Sequence, residues 1–162
     1  MIRNIEPRDH ARCLEIYNHY IENTNITFEI EPLTLEALSQ RFDAIQASYP
    51  FLVYEEDGRV LGYAYLDIFH PRAAYRFSVD LSIYLDKDYR GRGAGKKLLD
   101  ALEKKALEAG YVNIISLVTS ENVKSMAFHE KNGYKEVGDM PRVGYKFDRW
   151  VGIKYYMKRL GE

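Results

Sequence analysis

The segment Arg90-Gly91-Arg92-Gly93-Ala94-Gly95-Lys96-Lys97 gathers three glycines and four cations into eight residues. Glycines leave backbone N–H groups open to a ligand, and a helix starting there adds the positive end of its dipole, a combination suited to phosphate. Cations at a helix start oppose that dipole, each costing about 0.3–1 kcal/mol at the surface, and a bound polyphosphate would remove the conflict. Spacing excludes two phosphate loops. A Walker A loop needs glycine where Arg90 stands and a hydroxyl residue where Lys97 stands. A dinucleotide fingerprint needs glycine where Lys96 stands. Taken alone, the triplet reads equally as a solvated, glycine-rich turn.

Other reactive side chains are sparse. Cys13, the single cysteine, lies beside Leu14 in an apolar-periodic segment and reads as a small buried side chain. It forbids an intrachain disulfide and fits a reducing, cytoplasmic setting. His10, His19, His70 and His129 form no close pair and have no cysteine cluster to join, so no metal site is expected.

The elements that position these residues follow from periodicity. Ile2–Ile5 reads as a short strand and Pro7–Glu22 as a helix, with Leu14, Ile16, Tyr17, Tyr20 and Ile21 at helical spacing. Thr34 is a helix N-cap for a run to Ser48. Phe51–Glu55 and Val60–Tyr65 form a hairpin, and a third strand runs from Tyr75 to Leu85. The glycine segment opens a helix that Gly110 ends. Asn113–Val118 is a strand, Asn122–Lys131 a short helix, and Tyr134–Leu160 two or more strands. That order predicts an α+β fold: a mixed, mostly antiparallel central sheet flanked by helices, one domain over residues 1–162.

Composition bounds the function. The 162 residues carry 23 basic and 24 acidic side chains, a net charge of -1, which argues against a nucleic-acid partner. Apolar residues at 46% exclude a disordered chain, yet no apolar run is long enough to span a membrane. The start, Met1-Ile2-Arg3-Asn4-Ile5-Glu6-Pro7, has no apolar signal core.

Arg90-x-x-Gly93-x-Gly95 after a long strand resembles the acetyl-CoA pyrophosphate loop of the GNAT N-acetyltransferases, as does the downstream Asn122-x-x-Ser125 helix ending His129-Glu130-Lys131-Asn132-Gly133-Tyr134. The resemblance narrows to the phosphinothricin and methionine sulfoximine acetyltransferase branch. Ile16-Tyr17-Asn18, Thr27-Phe28-Glu29, Tyr49-Pro50-Phe51-Leu52-Val53 and Gly62-Tyr63-Ala64-Tyr65 are similar to it. So are Arg72-x-Ala74-Tyr75-Arg76, Val79-Asp80-x-Ser82-Ile83-Tyr84-Leu85 and Gly144-x-Lys146-x-x-x-Trp150.

The resemblance implies a direct transfer of acetyl from acetyl-CoA, as co-substrate, to the α-amine of a small amino acid or analogue. Phosphinothricin, methionine sulfoximine and methionine sulfone lead that class. It implies that the backbone of Ile83, Tyr84 and Leu85 meets the pantetheine arm. Gly91, Arg92, Gly93, Ala94, Gly95 and Lys96 then hold the pyrophosphate, and Asn122 contacts the cofactor. Asp80 matches a glutamate that takes the amine's proton; one methylene shorter, it would work through a bridging water or on a shifted substrate. An N–H near Leu85 is the oxyanion donor. Tyr84 or His129 is a candidate proton donor to the departing sulfur, and His129 reads equally as a packed, hydrogen-bonded residue. His70, Pro71, Arg72, Asp80, Leu81 and Ser82 correspond to the substrate site, where Arg72 is a fork for a carboxylate and Arg76, Lys146 and Arg149 add positive charge. Phe28, Tyr75 and Trp150 could wall an apolar slot. The branch usually has aspartate where Gly152 stands. Relatives are typically homodimers. Two other readings remain open: acetylation of a protein N-terminus or other amine, and a non-catalytic acyl-CoA-binding module.

Overall fold

Strand alternation decides which face each residue of the sheet serves, and the computed structural model, which describes residues 1–161, makes the assignment explicit. Glu162, the last residue of the expected 1–162 unit, lies outside the described residues. The strands are β1 (Ile2–Asn4), β2 (Phe51–Glu56), β3 (Arg59–Ile68), β4 (Ser78–Leu85), β5 (Asn113–Thr119), β6 (Lys135–Lys146) and β7 (Arg149–Arg159). The helices are α1 (His10–Asn23), α2 (Leu35–Gln46), α3 (Ala94–Glu108) and α4 (Val123–Lys131). One seven-stranded sheet runs β1-β2-β3-β4-β5-β7-β6, antiparallel except between β4 and β5. This is the mixed, mostly antiparallel α+β sheet that the element order predicts.

Two cores cover the two faces. On one, Val79 and Leu81 of β4 pack with Leu98, Leu99, Leu102 and Ala106 of α3 and with Ile114 and Val118 of β5. On the other, Tyr63 of β3 packs with Cys13, Ile16, Tyr17, Tyr20 and Ile21 of α1 and Leu38, Phe42 and Ile45 of α2, with Tyr65 and Tyr84 at its margin. Each fully buried leucine contributes about 1.5–3 kcal/mol. Cys13 is buried, as its apolar neighbours predict, and burial pushes its thiol pKa well up, which keeps it unreactive.

Several boundaries shift for local reasons. β4 begins at Ser78, not Tyr75, because residues 73–75 form a tight turn. In that turn Tyr75 N–H donates to Arg72 O at 3.0 Å and Arg76 N–H to Ala73 O at 3.2 Å, which takes groups a strand would need. The first helix starts at His10, after a turn at Pro7–Asp9 held by reciprocal Glu6 and Asp9 caps. Thr34 Oγ1 accepts from Ala37 N–H as expected, but α2 stops at Gln46, short of Ser48.

The parallel join is short. Ser78, Val79 and Asp80 pair with Asn113, Ile114 and Ile115, whereas β4 runs on to Leu85 and β5 to Thr119 outside that pairing. Beyond Asp80 and Ile115 the two strands part.

Candidate active site

The parted strands enclose a cavity of about 360 Å³. Its walls are Leu81–Leu85 on one side and Ser116–Thr119 on the other, closed by Gly91 and Gly95 at the start of α3 and by Asn122, Ser125, Phe128 and His129. Hydrogen-bond alternation says which backbone groups face inward. Asp86 N–H donates to Leu61 O at 2.8 Å, so the exchanging pairs between β3 and β4 are Tyr63 with Tyr84, Tyr65 with Ser82, and Asp67 with Asp80. The backbone of Ile83 and Leu85 therefore points toward β5, into the gap. Tyr84, which the resemblance grouped with them, spends its backbone groups on Tyr63 and offers the cavity only its ring. The Tyr20 hydroxyl donates to Leu85 O, which leaves the N–H groups of Ile83 and Leu85 as the open donors in that stretch.

The loop at the cavity's end is shaped for an anion. Gly91 and Gly93 have φ of +79° and +84°, the left-handed region, and face open space. Gly93 caps α3, and the first helical bond runs from Lys97 N–H to Gly93 O at 3.1 Å, so the N–H groups of Ala94, Gly95 and Lys96 have no helical partner. A Cβ at Gly95 would sit in ordinary contact with Leu85 and Phe128 at 3.5–3.6 Å, so packing alone does not demand glycine there. The cations rest on neighbours. Arg90 lies over the Tyr20 ring at 5.6 Å, Arg92 over Tyr89 at 4.9 Å and Lys97 over Tyr54 at 5.7 Å, while Lys96 pairs with Asp100 at 2.7 Å. Inward backbone groups beside a glycine-lined helix start fit a coenzyme A arm and its diphosphate.

Asp80 stands at the apex where the strands part, on the face opposite Val79 and Leu81. Burial, reinforced by the Asp67 charge directly across on β3, pushes its carboxyl pKa up to about 7. A carboxylate with that affinity can take a proton near neutral pH. Tyr84 packs against Tyr17 at 4.9 Å and Tyr63 at 5.6 Å, and burial pushes its phenol well above the usual value.

His129 is built as a packed residue. Its Nδ1–H donates to Ser125 O at 2.7 Å, and its Nε2 accepts from Ser116 Oγ at 2.8 Å. Burial holds its pKa below the ordinary value. Both ring nitrogens are engaged within the protein, so no N–H is left to aim into the cavity.

The remaining expectations divide. Asn122 caps α4, its Oδ1 accepting from Ser125 N–H at 3.2 Å, and lines the cavity. Arg92, Gly93, Ala94 and Lys96 belong to the loop but not to the cavity wall. His70, Pro71 and Arg72 lie exposed on the β3–β4 connection, where His70 and Tyr75 cluster with Phe69 at ring distances of 4.4–5.8 Å. Trp150 packs on Tyr145 at 5.2 Å, and the Phe28 ring fills the space a Gly144 side chain would need, so no contact joins Phe28, Tyr75 and Trp150 into one slot. Lys146 is no surface charge: only 3% exposed, it donates to Thr27 O at 2.9 Å. Arg149 pairs with Glu121 at 2.7 Å, and Arg76 lies over Phe77 at 4.3 Å. Gly152 departs from the branch because a Cβ there would come within 3.0–3.2 Å of Ser120, Met140 O and Pro141. Tyr20, Ile26, Ser116, Thr119, Lys124 and Phe128 also line the cavity without having been singled out; β5 alternation was the one available signal for Ser116 and Thr119.

A sheet that opens between its only parallel pair of strands, over a glycine loop at a helix start, defines an acyl-CoA-dependent acyltransferase. Comparison with known proteins agrees: the acetyltransferase (GNAT) domain family matches residues 2–152, and the chain belongs to it. The chain is 34% identical to an L-methionine sulfoximine/L-methionine sulfone acetyltransferase of Pseudomonas paraeruginosa, over 98% of this chain and 94% of that protein. A phosphinothricin acetyltransferase from Sinorhizobium meliloti, solved in complex with AcCoA, superposes with a TM-score of 0.96 at 34% identity, covering 100% of this chain and 89% of that one. A ribosomal-protein-alanine N-acetyltransferase from Brucella melitensis superposes with a TM-score of 0.95 at 33% identity, covering 98% and 99%. The protein is an acetyl-CoA-dependent amino-acid N-acetyltransferase. Among the described residues no helix is long and apolar enough to cross a membrane, and no cluster of His, Cys, Asp and Glu could hold a metal.

Proposed function

We propose that the chain, as one unit over residues 1–162, acetylates the α-amine of a small amino acid or analogue of the phosphinothricin, methionine sulfoximine and methionine sulfone class. The observation that carries this is Asp80: a half-buried carboxyl, raised to about 7, at the last pair of the parallel join, next to the cavity wall that begins at Leu81. Acetyl-CoA supplies the activated acyl group. Asp80 takes the proton of the incoming ammonium through one water, since its side chain is short. The neutral amine attacks the carbonyl carbon, the carbon–sulfur bond breaks to release coenzyme A, and the second amine proton goes to the departing sulfur or to solvent. Of the β4 N–H groups that face the gap, that of Ile83, which lies nearer Asp80 than Leu85 does, is the donor for the negative charge that develops on the carbonyl oxygen, an arrangement worth about 3–4 kcal/mol elsewhere. Neither candidate proton donor is assigned: Tyr84 holds its proton more tightly than a thiol does, and His129 spends its N–H on Ser125.

Arg72 is the fork for the substrate carboxylate. Of the four cations expected to face an anion, Arg76 lies on Phe77, Lys146 binds Thr27 and Arg149 binds Glu121, whereas Arg72 is exposed and makes no ion pair among the described residues. That favours an amino acid with a free carboxylate over a protein acceptor such as the ribosomal-protein alanine in the name of the Brucella melitensis neighbour. The protein is further proposed to act in the cytoplasm as a homodimer, with exposed Tyr145, Phe147 and Trp150 as the apolar surface for association; sedimentation of the purified protein tests it. A panel of amino acids and alanine-starting peptides, assayed with acetyl-CoA and a thiol-detecting reagent, tests the substrate. Turnover of the sulfoximine and sulfone is expected. Turnover of peptides alone would overturn the substrate class and leave the family intact.

A further inference from the structure

Three buried polar side-chain atoms have no hydrogen-bond partner among the described residues: His10 Nε2, Glu29 Oε2 and Thr119 Oγ1. Only Thr119 lines the cavity, and the residue is 1% exposed. A buried hydroxyl without a partner costs about 1–3 kcal/mol. Other hydroxyls nearby are satisfied inside the protein: Ser116 by His129 Nε2 at 2.8 Å, Thr27 by Tyr17 at 2.9 Å and Thr24 by Tyr20 O at 2.7 Å. The exception belongs to a residue on the wall of the gap between the strands.

Its height in the gap selects the ligand group. Asp80 is level with Ile115, so the same offset puts Thr119 level with Tyr84, on the Tyr84 face. Four residues of strand separate that level from Asp80, a rise of ~13 Å. The glycine loop lies beyond the other end of β4 and takes the diphosphate, while the acyl carbon must lie near Asp80. What passes Thr119 is therefore the middle of the arm between them, and its polar groups are secondary amides. A hydroxyl donates one hydrogen bond and accepts others, as an amide requires of its partner.

We propose that Thr119 Oγ1 is a cofactor-binding group that hydrogen-bonds an amide of the pantetheine arm and so sets how far the thioester reaches toward Asp80. The inference rests on the parted strands being the acyl-donor cleft and deepens that reading.

The test uses the whole protein with Thr119→Val, which keeps the shape and removes the hydroxyl, and Thr119→Ser, which restores it. Calorimetric titration with acetyl-CoA, titration with ADP (a diphosphate without pantetheine) and ligand-free thermal unfolding are compared with the unsubstituted protein. Thr119→Val is expected to weaken acetyl-CoA about three- to tenfold, leave ADP unchanged and raise the ligand-free Tm by about 2–4 °C, because an unpartnered group is removed. Thr119→Ser should bind acetyl-CoA as the unsubstituted protein does. Unchanged acetyl-CoA affinity in Thr119→Val, an equal loss for ADP, or a lowered Tm would each overturn the proposal. If the unsubstituted protein gains no affinity from ADP to acetyl-CoA, the donor-cleft reading falls with it; if it gains and Thr119→Val keeps the gain, only the Thr119 assignment falls.

Discussion

The two faces of β4 are made from one strand and do opposite work. Toward α3, Val79 and Leu81 are aliphatic and buried, with Ile83 and Leu85 packed beside them. Toward α1 and α2 stand Asp80, Ser82 and Tyr84, the last in a layer of tyrosines that meet edge-on or tilted. The aliphatic face anchors α3 and the glycine loop at its start; the polar face carries the group that readies the acceptor. Alternation alone separates them, so a change on one face should leave the other's chemistry intact.

Asp80→Asn should break the separation most visibly if it exists. Loss of the base is expected to lower kcat by about a hundredfold or more while the acetyl-CoA dissociation constant stays unchanged. A parallel loss of cofactor affinity would mean that the faces are not independent.

The same variant sharpens the comparison through stability. Because the folded-state carboxyl of Asp80 is raised to about 7 from an unfolded value near 3.8, the native state binds the proton more tightly. Stability is therefore lost as pH rises between those two values, by up to about 4 kcal/mol before allowance for partial solvation. Asp80→Asn should accordingly raise Tm at pH 8 and leave it unchanged at pH 4 or below, which thermal unfolding at both values checks.

On the donor side, Gly93→Val forces a β-branched residue into φ of +84° at the helix cap. An increase in the acetyl-CoA KM of roughly tenfold is expected, with the pH dependence of kcat/KM unmoved. A shifted pH profile would tie the loop to the base and contradict the division.

The smallest effect is the most specific. Asp67 faces Asp80 across β3, and its charge adds to burial in raising the Asp80 carboxyl. Asp67→Asn should move the acid limb of kcat/KM down by roughly half a unit to one unit, burial being the larger cause. Asp67→Glu should keep the limb in place, and an unmoved limb in Asp67→Asn would leave burial as the sole cause.

Much of this arrangement was legible in the sequence, for identifiable reasons. Periodicity marked α1, α2 and α3, the stop at Asn132-Gly133 marked the end of α4, and the glycine triplet marked the anion loop, because these signals are local; β4 was placed three residues too early. Asp80 was legible only through family resemblance: nothing in the sequence reports that it stands opposite Asp67 or at the end of a pairing. Lys146 misled. A lysine near the end of the chain reads as surface charge, and its bond to Thr27 O joins residues 119 positions apart. His129 was left between two roles because its partners, Ser116 and Ser125, are identified only once β5 and α4 are packed. Thr119 was passed over for a similar reason: its isolation is a property of three-dimensional surroundings, not of residue type.

The three-residue parallel join has a mechanical consequence. It is the only seam between a four-stranded antiparallel sheet (β1–β4) and a three-stranded one (β5, β7, β6). Anything lodged between Leu85 and Thr119 touches both subsheets and adds a second tie to the one their shared core under α3 already makes. Coenzyme occupancy should then slow amide hydrogen exchange on β4 and β5 together, well away from the atoms it contacts, while the hairpin edges keep their own pace.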